Sequence, residues 1–320
     1  MRNRVAWLAS ATVACIIGST ACNASGKKVI AVIPKGTSHL FWISVQAGAE
    51  AAGKEFGVEI VWNGPAQETD YSRQIQILDS MVARHVDGIV LAATERKALV
   101  GSIDRAAAAG IPLTVFDSAV DSTNYVSFVA TDNVEAGRLG ARALGKLLGG
   151  KGKVALIMNA PGSASTMDRE KGFTEVMGKE FPEIQVVASQ YGMSDRAKAR
   201  AVSENILTAH PDLDGIFASS EPSSVGAALA VKARGLSGKV KLVAFDFSDG
   251  LVEDLKGGTI DAMVVQDPFK IGFEAVRTVV EKIRGKTPPK RLDLAARVIV
   301  KADLDKPDVK QLLSPSAAHP

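Results

Sequence analysis

Two aspartates, Asp117 and Asp246, are the residues best placed to do chemistry. Each ends an apolar run in the pair Phe-Asp: Pro112-Leu-Thr-Val-Phe-Asp-Ser118 and Lys241-Leu-Val-Ala-Phe-Asp-Phe-Ser248. Such a run followed by turn formers reads as a buried strand of a parallel sheet, with the acid just past its carboxyl end. Ligands of open α/β sheets bind at that edge. Three uses are open to the pair. Each acid can be a turn former or helix cap, the two can grip vicinal hydroxyls through their four acceptor oxygens, or they can act as a general acid–base couple.

Other candidates stand at equivalent strand ends. Lys35 follows the first apolar run and lies on the same edge as Asp117, where a cation pairs with that acid or meets ligand oxygens. His39, Phe41 and Trp42 share its loop; an aromatic face suits a sugar-like ring, and a hydrophobic staple is the structural alternative. Asp168 and Arg169 are expected to open a helix, where an acid also complements the dipole. Ser220 and Glu221 follow a later strand, and Glu221 equally suits a helix start. Of the four histidines only His39 is a site candidate. No dinucleotide or phosphate-binding glycine motif, nucleophile elbow or His-Glu-x-x-His is present, and no cofactor or metal is expected.

The elements that must position these residues repeat. From Lys27 onward, strand-length runs alternate with helical segments expected near 41–56, 71–84, 96–109 and 134–149, which implies right-handed crossovers and a parallel sheet. The order then restarts. Lys28-Val-Ile-Ala-Val-Ile33 is answered by Lys153-Val-Ala-Leu-Ile-Met158, Val86-Asp-Gly-Ile by Leu213-Asp-Gly-Ile, and Phe116-Asp117 by Phe245-Asp246. The expectation is α/β, with two similar doubly wound parallel-sheet lobes. They divide as residues 27–131 plus 267–295 and residues 132–266 plus 296–320, and several crossings form a hinge.

At 320 residues the chain suits two domains. A net charge of +3 and 5% aromatics argue against nucleic acid as a partner. Residues 1–26 read as a lipoprotein-type signal peptide and short linker: Arg2 and Arg4, an apolar run, then Ser19-Thr-Ala-Cys22. Cys22 is the expected lipidation site, with soluble export and cleavage nearer Ser25 as the alternative. Both cysteines, Cys15 and Cys22, lie in this leader, so the mature domain has no internal disulfide and no cysteine chemistry.

Residues 28–301 resemble a periplasmic sugar-binding protein of the ribose-binding type, the capture component of an ABC importer with the type I fold. The resemblance rests on Phe41-Trp42, Asp117 after Ile111-Pro112, Thr131-Asp132-Asn133, Arg169 ahead of Gly172-Phe173, Ala209-His-Pro-Asp212, Phe245-Asp246 and Gln266-Asp-Pro268. It implies a three-crossing hinge and ligand contacts by His39, Phe41, Asp117, Ser220, Asp246 and Gln266, with Trp42 covering the ring. It also implies a periplasmic, monomeric receptor that hands a small polyhydroxy ligand to an inner-membrane ABC permease, touching the membrane only through a lipid anchor.

Ser118, Met167, Ala92 and Ser194 stand where ribose binders carry two arginines, an asparagine and an aromatic, which moves the expectation away from ribose. Pro34-Lys35, Asn63-Gly-Pro65 and Asp168 are similar to rhamnose- and autoinducer-2-binding members. The expected ligand is a sugar, deoxy sugar or polyol. Autoinducer-2-like furanose binding, presentation of ligand to a sensor, and a carboxylate-pair enzyme are the alternatives.

Overall fold

Alternation of side chains along each central strand explains the layers of this protein. A computed structural model describes residues 26–314; the leader and Cys22 lie outside them. The first strand, β1 (Val29–Ile33), is buried almost throughout. Ile30 and Val32 point to one helical layer and Ala31 and Ile33 to the other, as the two-residue repeat of a strand requires. An apolar run without alternation of polarity is therefore what a sheet covered on both faces needs.

The chain continues through α1 (Leu40–Phe56), β2 (Glu59–Trp62), α2 (Tyr71–Ala83), β3 (Gly88–Leu91), α3 (Val100–Ala108), β4 (Leu113–Phe116) and β5 (Phe128–Thr131). It then enters a second lobe with α4 (Asn133–Leu147), β6 (Lys151–Met158), α5 (Ala164–Glu180), β7 (Glu183–Tyr191), α6 (Arg196–Ala209) and β8 (Gly215–Ala218). That lobe goes on with α7 (Glu221–Ala233), β9 (Lys241–Phe245), α8 (Asp249–Gly257) and β10 (Ala262–Val265). The chain returns to the first lobe for α9 (Pro268–Ile283) and β11 (Arg291–Leu294), and ends in the second with β12 (Arg297–Ile299) and α10 (Pro307–Leu312).

The sheets run β11-β5-β4-β3-β1-β2 and β12-β10-β9-β8-β6-β7, the same order strand for strand. One detail breaks the repeat: β11 joins its sheet parallel and β12 antiparallel. Three links, after Thr131, Val265 and Leu294, join the lobes. The first two enter helices capped by Asp132 and Asp267, whose side chains accept from Glu135 N and Lys270 N.

In each lobe two helices cross at a pair of glycines. A Cβ on Gly48 would stand 1.9 Å from Phe269 O, and one on Gly272 2.1 Å from Val45 O, where α1 meets α9. Where α4 meets α5, Gly137 and Gly172 hold the same places, 1.9 Å from Arg169 O and 2.1 Å from Val134 O. The repeat thus extends to the close helix crossings of each lobe.

The observed α5 begins at Ala164, before the expected opening at Asp168, and the extended edge strand β11 was not anticipated. Helix α3 starts at Val100 rather than near residue 96, because Glu95 turns back to accept from the backbone N–H groups of Lys97 and Ala98.

Candidate functional site

Between the carboxyl ends of the two sheets lies a cavity walled by both lobes. Lys35, His39, Phe41, Trp42 and Asp117 line it from the first lobe; Arg169, Ser220, Glu221, Asp246 and Gln266 line it from the second lobe and the second link.

Asp117 and Asp246 are 3% and 7% exposed. Both adopt left-handed backbone conformations, with φ of 55° and 65°, a region non-glycine residues enter only where the surroundings hold them there. The N–H of Asp117 donates to Val129 O and that of Asp246 to Val264 O, each at 2.9 Å. Each acid is thus pinned by its neighbouring strand while its side chain turns into the cavity. Asp117 Oδ2 is buried and accepts no hydrogen bond. Burial pushes the Asp117 carboxyl up against the pull of Lys35 and Arg169. Burial also pushes Asp246 up, to about 6, against Arg169 and the Gln266 hydrogen bond.

Lys35 settles between two acids and two serines. Its ammonium is 3.5 Å from Asp117 Oδ2 and 3.7 Å from Glu68 Oε2. It donates to Ser163 Oγ at 3.1 Å and Ser165 Oγ at 3.3 Å, both in the other lobe. Ser165 N–H donates to Ser118 Oγ at 3.2 Å, and Arg96 N–H to Gly162 O at 3.0 Å, so the lobes meet directly beside the cavity. With two donors bonded to serines and its charge set against two acids, Lys35 is placed as neutraliser and bridge.

Glu68 is the main residue the sequence reading missed. Trp42 Nε1 donates to its Oε1 at 2.7 Å, and His39 Nδ1 lies 3.3 Å from the same oxygen. Burial works against its charge, yet Lys35 and His39 hold its carboxyl well below the usual range. The His39 ring is raised in turn: the Glu68 contact and the charge of Glu221 outweigh burial. Trp42 packs edge-on to Phe41, with centroids 4.9 Å apart, and to Phe116.

In the second lobe, Arg169 Nε donates to Asn133 Oδ1 at 2.8 Å and its Nη1 to Ser219 O at 3.0 Å. Its guanidinium lies 3.9 Å over the Phe245 ring and 3.9 Å from Asp246 Oδ2. Gln266 donates to Asp246 Oδ1 and accepts from Thr131 Oγ1, both at 2.7 Å. Ser220 caps α7 and donates to Asn159 Oδ1 at 2.9 Å. Glu221 starts that helix and is paired with Arg196, whose Nε donates to Glu221 Oε2 at 3.3 Å.

Asp168 does not line this cavity. It borders a second, smaller one beside Asp132 and Arg291. The early start of α5 explains the difference: Ser165, Thr166 and Arg169 face the cavity, and Asp168 sits about 100° from Arg169 around the helix. Asn159, Ser165, Thr166 and Pro222 are further cavity residues beyond the expected set. Among the described residues no acid, histidine and cysteine cluster could hold a metal, and no helix is long and apolar enough to cross a membrane.

Comparison with known proteins agrees with this geometry. Residues 30–287 match the family model described as a periplasmic binding protein domain. A D-ribose/D-allose-binding protein of Pseudomonas aeruginosa is 31% identical over 83% of this chain and 86% of its own. A solute-binding protein of Agrobacterium radiobacter, solved with D-arabinose, superposes with a TM-score of 0.88 at 33% identity, over 91% of this chain and all of that one. One from Agrobacterium vitis with bound D-fucose gives 0.87 at 35% identity, over 89% of this chain and all of its own. These relatives are named as sugar-binding proteins and transporter solute-binding proteins, and the acid–base reading of Asp117 and Asp246 gives way. The chain belongs to the periplasmic binding protein family, as a substrate-binding transport protein and not an enzyme.

Proposed function

We propose that the protein captures one small neutral sugar, deoxy sugar or polyol between its lobes and delivers it to the permease of an ABC importer. The observation that carries this reading is the pair of buried carboxylates, one per lobe, turned into a single cavity by the same backbone conformation. Ligand hydroxyls donate to them, and the contact of both lobes with one molecule favours the closed arrangement. Four carboxylates, Glu68, Asp117, Glu221 and Asp246, line the cavity with only two strong cations, Lys35 and Arg169, beside them, so an anionic ligand is disfavoured. The moving bodies are residues 27–131 plus 267–295 and residues 132–266 plus 296–320. The names of the relatives support a monosaccharide of the ribose, allose or arabinose kind.

Thermal-shift screening of pentoses, hexoses, deoxy sugars, polyols and furanones tests the proposal. One compound is expected to raise the melting temperature strongly and to be recovered unaltered. Stabilisation by none, or turnover of the stabilising compound, would overturn it. The leader reading places the mature protein in the periplasm with Cys22 as the lipid attachment point; mass spectrometry of the membrane fraction would reveal acylation there.

A further inference from the structure

A second cavity, with about 1330 Å³ of space open to solvent, adjoins the first at the mouth of the cleft. His39 and Glu68 belong to the walls of both. Ser38, Gln67 and Thr69 of the first lobe face Met193, Ser194 and Arg196 of the second across it. Both lobes build it, as they build the inner cavity.

The second-lobe wall is a constrained turn. Met193 and Ser194 are consecutive non-glycine residues in the left-handed region, with φ of 58° and 54°, each an arrangement that costs on the order of 1–3 kcal/mol. The turn is held in place from both sides. Gly192 N–H donates to Met158 O at 2.8 Å and Ser194 N–H to Asn159 O at 3.2 Å, while Asp195 caps α6 by accepting from Lys198 N at 2.7 Å.

The turn also shapes the surface of the cavity. Met193 leaves an apolar side chain 38% exposed on a wall otherwise built of polar and small side chains.

We propose that the outer cavity is a second subsite, which takes the second sugar unit of a disaccharide or glycoside whose first ring occupies the inner cavity. The lining suits that chemistry. Hydroxyl and amide groups stand beside Met193 and two alanines, and the formal charges are equal in number, Arg196 and Lys198 against Glu68 and Asp195, with Arg196 already paired with Glu221 and Asp195 engaged as a cap. The inference rests on the monosaccharide reading of the inner cavity.

The test uses the mature protein and the monosaccharide that the thermal screen selects. Calorimetry compares its Kd with those of disaccharides linked through each of its hydroxyl positions, in the wild type and in Ala197→Trp. Ala197 is an exposed residue in the first turn of α6, on the rim of the outer cavity, so a bulky side chain there narrows the cavity with little risk to folding. The expected result is at least one disaccharide within about tenfold of the parent sugar, weakened by Ala197→Trp at least about tenfold more than the parent. Rejection of every disaccharide by more than that margin, or an equal effect of the substitution on parent and disaccharide, would overturn the subsite. A protein that binds no sugar at all would overturn the inner-site reading instead.

Discussion

Lys35 of the first lobe and Ser163 of the second are joined by a 3.1 Å hydrogen bond while the same ammonium faces Asp117 and Glu68. One buried cation therefore neutralises the floor of one lobe and reaches across to the other. Replacing it by an isosteric apolar chain leaves two buried acids uncompensated. Lys35→Met is expected to lower stability by about 3 kcal/mol and to weaken sugar binding substantially, as read by chemical denaturation and calorimetry. A stable variant with unaltered affinity would show that Asp117 needs no counter-charge.

Binding should depend on pH through Asp246. Its folded pKa, about 6, is raised above the ordinary carboxylate value of 3.8. The folded ligand-free protein thus holds a proton that the unfolded chain has released between those values, and this group's contribution to stability is lost as pH rises through about 6. Ligand hydroxyls donate to the ionised form, so affinity moves the opposite way and falls by up to about tenfold per pH unit below 6. Calorimetry between pH 5 and 8 should show this decline, and Asp246→Asn should flatten it.

Gln266 ties that carboxylate to the link between lobes by donating to Asp246 and accepting from Thr131. Gln266→Leu removes both bonds and leaves two buried groups unsatisfied, at a cost of about 1–3 kcal/mol. The midpoint of the pH profile for binding should move upward, because one of the bonds that favours ionised Asp246 is gone. A midpoint that stays in place would assign Gln266 to the hinge alone.

The paired glycines separate packing from recognition. Gly48→Ala and Gly137→Ala should each destabilise the fold by several kcal/mol, since a Cβ at either position meets a carbonyl oxygen 1.9 Å away. Only Gly137→Ala presses on Arg169, so in the surviving folded protein it should weaken sugar binding more than Gly48→Ala does. Equal losses of affinity would mean that the displacement spreads through the whole cleft.

The two-lobed plan was legible because unbroken apolar strands recur in the same order, and Asp117 and Asp246 because each closes such a strand. Strand β11 was hidden: its Arg-Leu-Asp-Leu alternation is the mark of an edge strand, with only Leu294 buried. Asp168 misled because α5 begins upstream at Ala164, so Asp168 lies inside the helix and is turned away from the face that carries Ser165 and Arg169. Glu68 escaped because its loop carries no pattern. Its role comes from contacts with Trp42, His39 and Lys35, which only the folded chain brings together.

The return of the chain to the first lobe bears on its synthesis. Helix α9 covers Val90, Phe116 and Val129 on one face of the first sheet, and β11 closes its edge beside β5. Both are translated only after the body of the second lobe. As the polypeptide emerges from the ribosome, the lobe containing β1 keeps that apolar face uncovered while its neighbour is already being assembled. The earlier-made half thus waits, with part of its core open, until most of the second lobe has been made, and the last strand and helix of the chain then finish the later half.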